Sequence, residues 1–217
     1  MEAIVKRQPL SRAKVAEAAL ALVDRDGLEQ LSMRKLAASL GVEAMSLYNH
    51  VRNKDDLESE LCEMLNSQIV SEYHAAGGET WQARARSMSL AYFRVGTAHP
   101  NAFPLLSDRP ASRMADVLVL SECVHIFLDA GLSIEQASVA FHAAAAWLVG
   151  AVEQEIGLIR RVVAGEGFKA DDLPSELAFL PVFRDQCFAN TPEWRFDAGF
   201  EILLAGVEAF VAQARQD

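Results

Sequence analysis

Between Gly41 and Leu57 the chain reads GVEAMSLYNHVRNKDDL, and hydrogen-bonding side chains crowd this stretch. Ser46, Tyr48, Asn49, His50 and Arg52 fall within seven residues, interleaved with apolar Leu47 and Val51. On a short helix Leu47 and Val51 share one face, because residues four apart lie one above the other. The opposite face then carries Ala44, Met45, Ser46, Tyr48, Asn49 and His50. A face of this kind suits the major groove of a DNA duplex. Ser46 and Asn49 can bond base edges or phosphates, while Tyr48 and His50 suit phosphate oxygens. Ala44 and Met45 can touch a thymine methyl, and Arg34 can reach a guanine or a phosphate. Lys54, together with the first amides of a following helix capped by Asn53, makes a phosphate clamp.

The segments around this stretch all read as helix. From Ser11 to Asp26, Val15, Ala18, Ala19, Leu22 and Val23 recur at three- and four-residue spacing, with Ser11 as N-cap and Gly27 closing the helix. A short second helix fits Ser32 to Leu40, and Gly41 supplies a tight turn with positive φ. The third helix is expected from Glu43 or Ala44 to His50. A fourth begins after Asn53, where Asp55, Asp56 and Glu58 suit the positive helix N-terminus. Two short helices joined by a glycine turn and packed on a longer first helix form a helix-turn-helix.

Beyond a break at Ala75–Thr80, helical patterns cover Trp81–Ala98, Ala111–Ala130, Ile134–Val163, Ser175–Phe188 and Pro192–Arg215. Pro100, Pro104 and Pro110 cut the intervening stretch short. The fold class is therefore all-α. It comprises an N-terminal three-helix head over residues 1–56 and a larger helical body over residues 57–217.

Charge follows the same division. The net charge is −10, which by itself disfavours a nucleic-acid partner, but it is unevenly spread. Residues 1–54 hold nine Lys/Arg against six Asp/Glu, and the remainder holds 11 against 24. An acidic body repels phosphates, so any DNA contact belongs to the head, with Lys6 and Arg7 as a further arm or a tail. Cys62, Cys123 and Cys187 lie far apart with no CxxC spacing, which fits a reducing compartment. No apolar run reaches the length of a membrane span, and MEAIVKRQPL lacks a signal-peptide core, so a cytoplasmic location is expected.

The stretch AALALVDRDGLEQLSMRKLAASLGVEAMSLYNHVRNKDDL resembles the TetR family of bacterial transcriptional regulators. Its LYNHVRNKDDL portion is similar to the tetracycline-repressor-like subclass. The resemblance implies a repressor that binds a palindromic double-stranded operator as a homodimer and is released by a small-molecule inducer. It implies that Arg34, Ala44, Met45 and Ser46 read bases, and that Tyr48, Asn49, His50 and Lys54 lie mainly on phosphates. Ala44 and Met45 stand where longer polar groups are usual, which leaves fewer bidentate base contacts. Tetracycline-binding members use a His in the short sixth helix for the drug's metal. The comparable stretch NAFPLLSDRP has none, and Glu153 and Glu155 flank the acidic position, so a different inducer is expected.

In the body, Ile134, Ala137, Phe141, Ala145, Leu148 and Val152 form one stripe, and Phe196, Phe200, Leu203, Val207, Phe210 and Ala214 another. The resemblance assigns these two helices to the dimer interface, and the alternative is an ordinary core. Met88, Tyr92, Phe93, Phe103, Phe127, His142, Trp147, Phe179 and Phe183 are candidates to line an inducer pocket, with no cofactor or metal among the expectations. A rival reading is a helical metalloenzyme. Glu122 and His125 form an ExxH pair on one helix face, but a di-iron bundle needs a second such pair, and none is present. GxSxG, HExxH and P-loop signatures are also missing, so enzymatic activity is not expected.

Overall fold

Ser11 opens the first helix of the computed structural model, which describes residues 9–109, 113–164 and 173–215. Lys6 and Arg7 lie outside the described residues, as does most of the loop expected before Pro174. The Ser11 hydroxyl accepts the Lys14 amide at 3.3 Å, and α1 runs Arg12–Asp26. After a single 3-10 turn at Leu28–Gln30, Ser32 caps Lys35 in the same way and α2 runs Met33–Leu40. Gly41 takes a left-handed conformation at φ 64°. Its amide bonds to Ala38 and that of Val42 to Ala37, which closes α2 and turns the chain into α3, Ala44–Leu47.

The remaining helices are α4 (Lys54–Ala76), α5 (Trp81–Ala98), α6 (Pro104–Ser107), α7 (Met114–Asp129), α8 (Ile134–Ala164), α9 (Phe179–Phe188) and α10 (Pro192–Ala214). Every regular element among the described residues is helical. The chain divides into two compact units. The first comprises Met1–Gln68 with Ala98–Leu118, and the second Ile69–Thr97 with Val119–Asp217.

The third helix is shorter than its sequence suggests. It stops at Leu47, because the amides of Tyr48 and His50 bond three residues back, to Met45 and Leu47, and tighten the last turn. The His50 carbonyl, which a continuing helix would use, instead accepts a hydrogen bond from Arg12 at 3.0 Å.

That arginine belongs to a network that fixes the start of α4. Asn53 Oδ1 accepts the Asp56 amide at 2.8 Å, and the Asp56 carboxylate accepts the Arg52 amide at 2.9 Å. Arg12 bridges Asp56 and Glu60 from α1. Arg113 contacts Asp56, Glu60 and Glu63, each at 2.8 Å. Arg109 contacts Asp55 at 2.7 Å and Glu58 at 2.9 Å. Three arginines from two distant segments thus neutralise the carboxylates of α4's first turns. The 98–118 segment is held further by His99 on Asp24 (2.9 Å) and by Asn101 on the Asp24 carbonyl (2.9 Å). Beneath lies a small buried polar cluster: Asn66 donates to Asp116 at 2.7 Å, and the Cys62 thiol faces the Leu105 carbonyl at 3.2 Å. Burial, with the Asp116 charge beside it, pushes that thiol up to about 12, so it stays protonated.

In the second unit α8 packs along α10. The α10 stripe expected at a dimer interface faces inward instead. Phe196, Phe200 and Val207 are buried, and Leu203, Phe210 and Ala214 are partly covered by the same core as Ala137 and Ala140 of α8. Trp147 packs at a tilt beside Phe196 and Phe200, with ring centroids 5.6 and 6.2 Å apart. Gly199 makes room for it: a Cβ there would stand 2.9 Å from Trp147 Cζ2. One residue before Phe196, in the first turn of α10, Arg195 forms a bidentate ion pair with buried Glu155 at 2.6 and 3.0 Å and also bonds the carbonyls of Cys187, in α9's last turn, and Asn190, just beyond it.

Three outcomes follow from this packing. Replacing Arg113 by Ala leaves three carboxylates short of a partner, and denaturant titration is expected to show a loss of about 1–3 kcal/mol. The Arg52 amide, followed by Arg12, holds the Asp56 carboxyl below its usual range. The stability it contributes is present above the unfolded value of about 3.9 and is lost as pH falls through the folded one. Thermal melts between pH 6 and 3 should therefore fall less steeply for Asp56→Asn than for the unsubstituted protein. Gly199→Ala forces Trp147 aside and is expected to lower stability by about 1–3 kcal/mol, with a shifted Trp emission spectrum.

Candidate nucleic-acid interface

Leu47 and Val51 are fully buried, so residues 44–50 are anchored from beneath. Above them Met45 is 75% exposed and Tyr48 45%, and Asn49 is exposed beside them. Ala44, Ser46 and His50 are half-buried at the edges of this face. Arg34 stands exposed on α2. The structure thus gathers the expected base- and phosphate-contacting residues onto the two helices of the turn and the bend that follows. No residue from 44 to 51 carries a formal charge, His50 being taken as neutral.

Lys54 differs in one respect. Its ammonium lies 3.5 Å from Glu58, one turn along α4, so a phosphate there has to compete with a carboxylate. One amide of the expected clamp, that of Asp56, is already bonded to Asn53. Both features place Lys54 at the edge of the face, with its charge partly answered.

The residues that hold the face in place escaped the sequence reading. Arg12, Arg109 and Arg113 come from segments separated from α4 by about fifty positions, and spacing carries no trace of such pairs. A signal existed on the other side. Carboxylates at 55, 56, 58, 60 and 63 exceed what a helix N-terminus needs, which implies cations elsewhere.

The candidate pocket residues are spread more widely. Met88, Phe93 and Phe127 are buried in the second unit, and Tyr92 and Trp147 are half-buried there. Phe93 meets Phe196 at 4.8 Å between centroids, so Phe93 and Trp147 share one aromatic cluster through Phe196. Phe127 belongs to the core formed with Ala137 and Val211. His142 is exposed, its Nδ1–H donating to the Ser138 carbonyl at 2.9 Å. Phe179 and Phe183 are 60% and 64% exposed on α9. Phe103 is buried in the first unit, just before α6. Glu155, one of the two acids that flank the expected acidic position, is already engaged by Arg195.

The ExxH pair is likewise engaged. His125 Nδ1 bonds the Ser121 carbonyl at 2.7 Å, and Glu122 lies beside Tyr73, whose hydroxyl is pushed up first by burial and then by that carboxylate. Among the described residues no three His, Cys, Asp or Glu side chains come together as metal ligands.

Comparison with known proteins agrees with this geometry. Residues 15–61 match the family described as bacterial regulatory proteins, tetR family, and residues 75–211 match the tetracyclin repressor-like C-terminal domain. An HTH-type transcriptional regulator of Saccharopolyspora erythraea is 32% identical over 204 residues, spanning 92% of this chain and 85% of that protein. Tetracycline repressor protein class D of Escherichia coli is 29% identical over 208 residues, spanning 92% and 89%. The structure of ActR from Streptomyces coelicolor in complex with actinorhodin shares the fold, with TM-score 0.72 and 23% identity over 95% of this chain and 99% of that one. A helix-turn-helix matched by one half of the family's signature and a helical remainder matched by the other show that this chain belongs to the TetR family of transcriptional regulators.

Proposed function

We propose that this regulator is a repressor. It binds a palindromic operator as a homodimer and leaves it when a small molecule occupies the helical body. The observation that carries the reading is the exposed, uncharged face at residues 44–50, standing on buried Leu47 and Val51 and braced by Arg12. In this reading Arg34, Ala44, Met45 and Ser46 meet base edges, and Tyr48, Asn49, His50 and Lys54 meet phosphates. The head, residues 1–56, does the reading, and residues 57–217 bind the inducer and pair the subunits.

One recognition element reads too few base pairs, and a two-fold pair reads two half-sites a helical turn apart. With the α10 stripe spent on the chain's own core, pairing falls to the outward faces of α8 and α10. Val139, Ala143 and Ala146 are exposed on the first, and Ile202 (77%), Ala205, Gly206 and Ala209 on the second. Small side chains of this kind let helices approach closely.

For release, a ligand must favour the arrangement that does not fit DNA by a few kcal/mol. ActR, whose structure is in complex with actinorhodin, and the tetracycline repressors, by their name, support a ligand-responsive role. Met88, Tyr92, Phe93, Phe127, His142, Trp147, Phe179 and Phe183, all of the second unit, remain the proposed ligand contacts, and the aromatic cluster around Phe196 is where we place the centre of the site. The protein works without catalysis and in the cytoplasm. Among the described residues no single helix is long and apolar enough to cross a membrane.

A gel shift with the DNA flanking its own coding region tests the reading. A symmetric element should be bound and then freed by a candidate compound. Tyr48→Phe and Lys54→Ala are expected to weaken binding evenly across sequences, whereas Arg34→Ala and Ser46→Ala should change which sequence is preferred. Equal loss from all four would contradict the sorting of contacts. Ile202→Glu should shift the sedimenting species from dimer to monomer and weaken operator binding with it.

A further inference from the structure

Among residues 9–109 two large apolar side chains are exposed, Met45 and Tyr48. They sit three positions apart on the same side of the recognition element, with Asn49 next to them. A head that covers its other large apolar groups wholly or in part has left a methionine three-quarters uncovered where the groove would lie, and an exposed thioether gains from an apolar partner. The edge of a major-groove base pair offers one such partner, the C5 methyl of thymine. Guanine is most often read by a bidentate Arg or Lys, and the stretch from Ala44 to Val51 contains neither.

We propose that Met45 is a specificity-determining residue of the head beside Arg34 and Ser46, and that it reads thymine methyls in a half-site that contains A·T pairs. The inference rests on the DNA-binding reading above and narrows it to a class of operator. The contact is a dispersion and desolvation term. It therefore discriminates thymine from uracil, whose Watson–Crick pairing is the same and which lacks only the methyl.

The test uses the full-length protein and duplexes enriched by it from a randomised pool. The enriched site is resynthesised with single deoxyuridines in place of each thymine in turn. One thymine per half-site is expected to weaken binding about fourfold when its methyl is removed, or about 15-fold when both half-sites are changed. Met45→Ala should bind the thymine and uracil duplexes equally, while keeping the same salt dependence as the unsubstituted protein. Met45 is so exposed that the variant is expected to fold, and a thermal melt checks this. Equal binding of all thymine and uracil duplexes by the unsubstituted protein would overturn the inference and leave DNA binding intact. Persistence of the thymine preference in Met45→Ala would overturn it as well. Failure to enrich any duplex would overturn the DNA-binding reading, and this inference with it.

Discussion

Five carboxylates crowd the first three turns of α4, and the head depends on their neutralisation by Arg12, Arg109 and Arg113. Without cations these carboxylates would repel one another and any phosphate brought near. The arginines meet them with several hydrogen bonds each, most in partly buried positions where salt screens them little. Arg12 does a second task. Its remaining N–H groups close the chain after α3 by holding the His50 carbonyl. The end of the recognition element and the start of α4 are thereby one structure, tied to α1 on one side and to the 98–118 segment on the other.

This bracing explains how a helix of a single turn can present a defined surface. A four-residue helix is far too short to persist alone. Here Leu47 and Val51 fix it from below, the Gly41 turn sets its entry, and Arg12 fixes its exit. What projects outward is neutral. Exposed Arg34 and Arg52 flank this face in the chain, and the face itself offers methyl, hydroxyl, amide and thioether groups. Affinity for a polyanion and discrimination among bases are thus assigned to different side chains.

In the second unit the decisive constraint is the close passage of Trp147 over Gly199. It brings α8 and α10 together over the aromatic side chains of α10 and leaves small residues such as Ala143, Ala146, Ala205, Gly206 and Ala209 outward, with Val139 and Ile202 among them. The Arg195–Glu155 pair locks the same two helices near one end and ties in the chain after α9. A buried carboxylate without that guanidinium would be costly, and its full engagement removes Glu155 from any role as a free ligand.

The amino-acid sequence by itself determined the helices, their caps at Ser11, Ser32 and Asn53, the Gly41 turn, the buried pair Leu47 and Val51, and the family to which they point. All of these rest on neighbours within about four positions, where spacing maps directly onto a helix face. It overran α3, because the bond that ends that helix comes from Arg12, 38 positions away. It also drew a stripe on α10 without showing which way the stripe turns, since an apolar face is the same pattern whether its partner is the same chain or a second copy. Only the tertiary structure decided that the stripe meets α8, that Glu155 belongs to Arg195, and that three remote arginines serve the acids of α4. Ion pairs and core contacts between distant segments depend on how the backbone folds in space, and no local period records them.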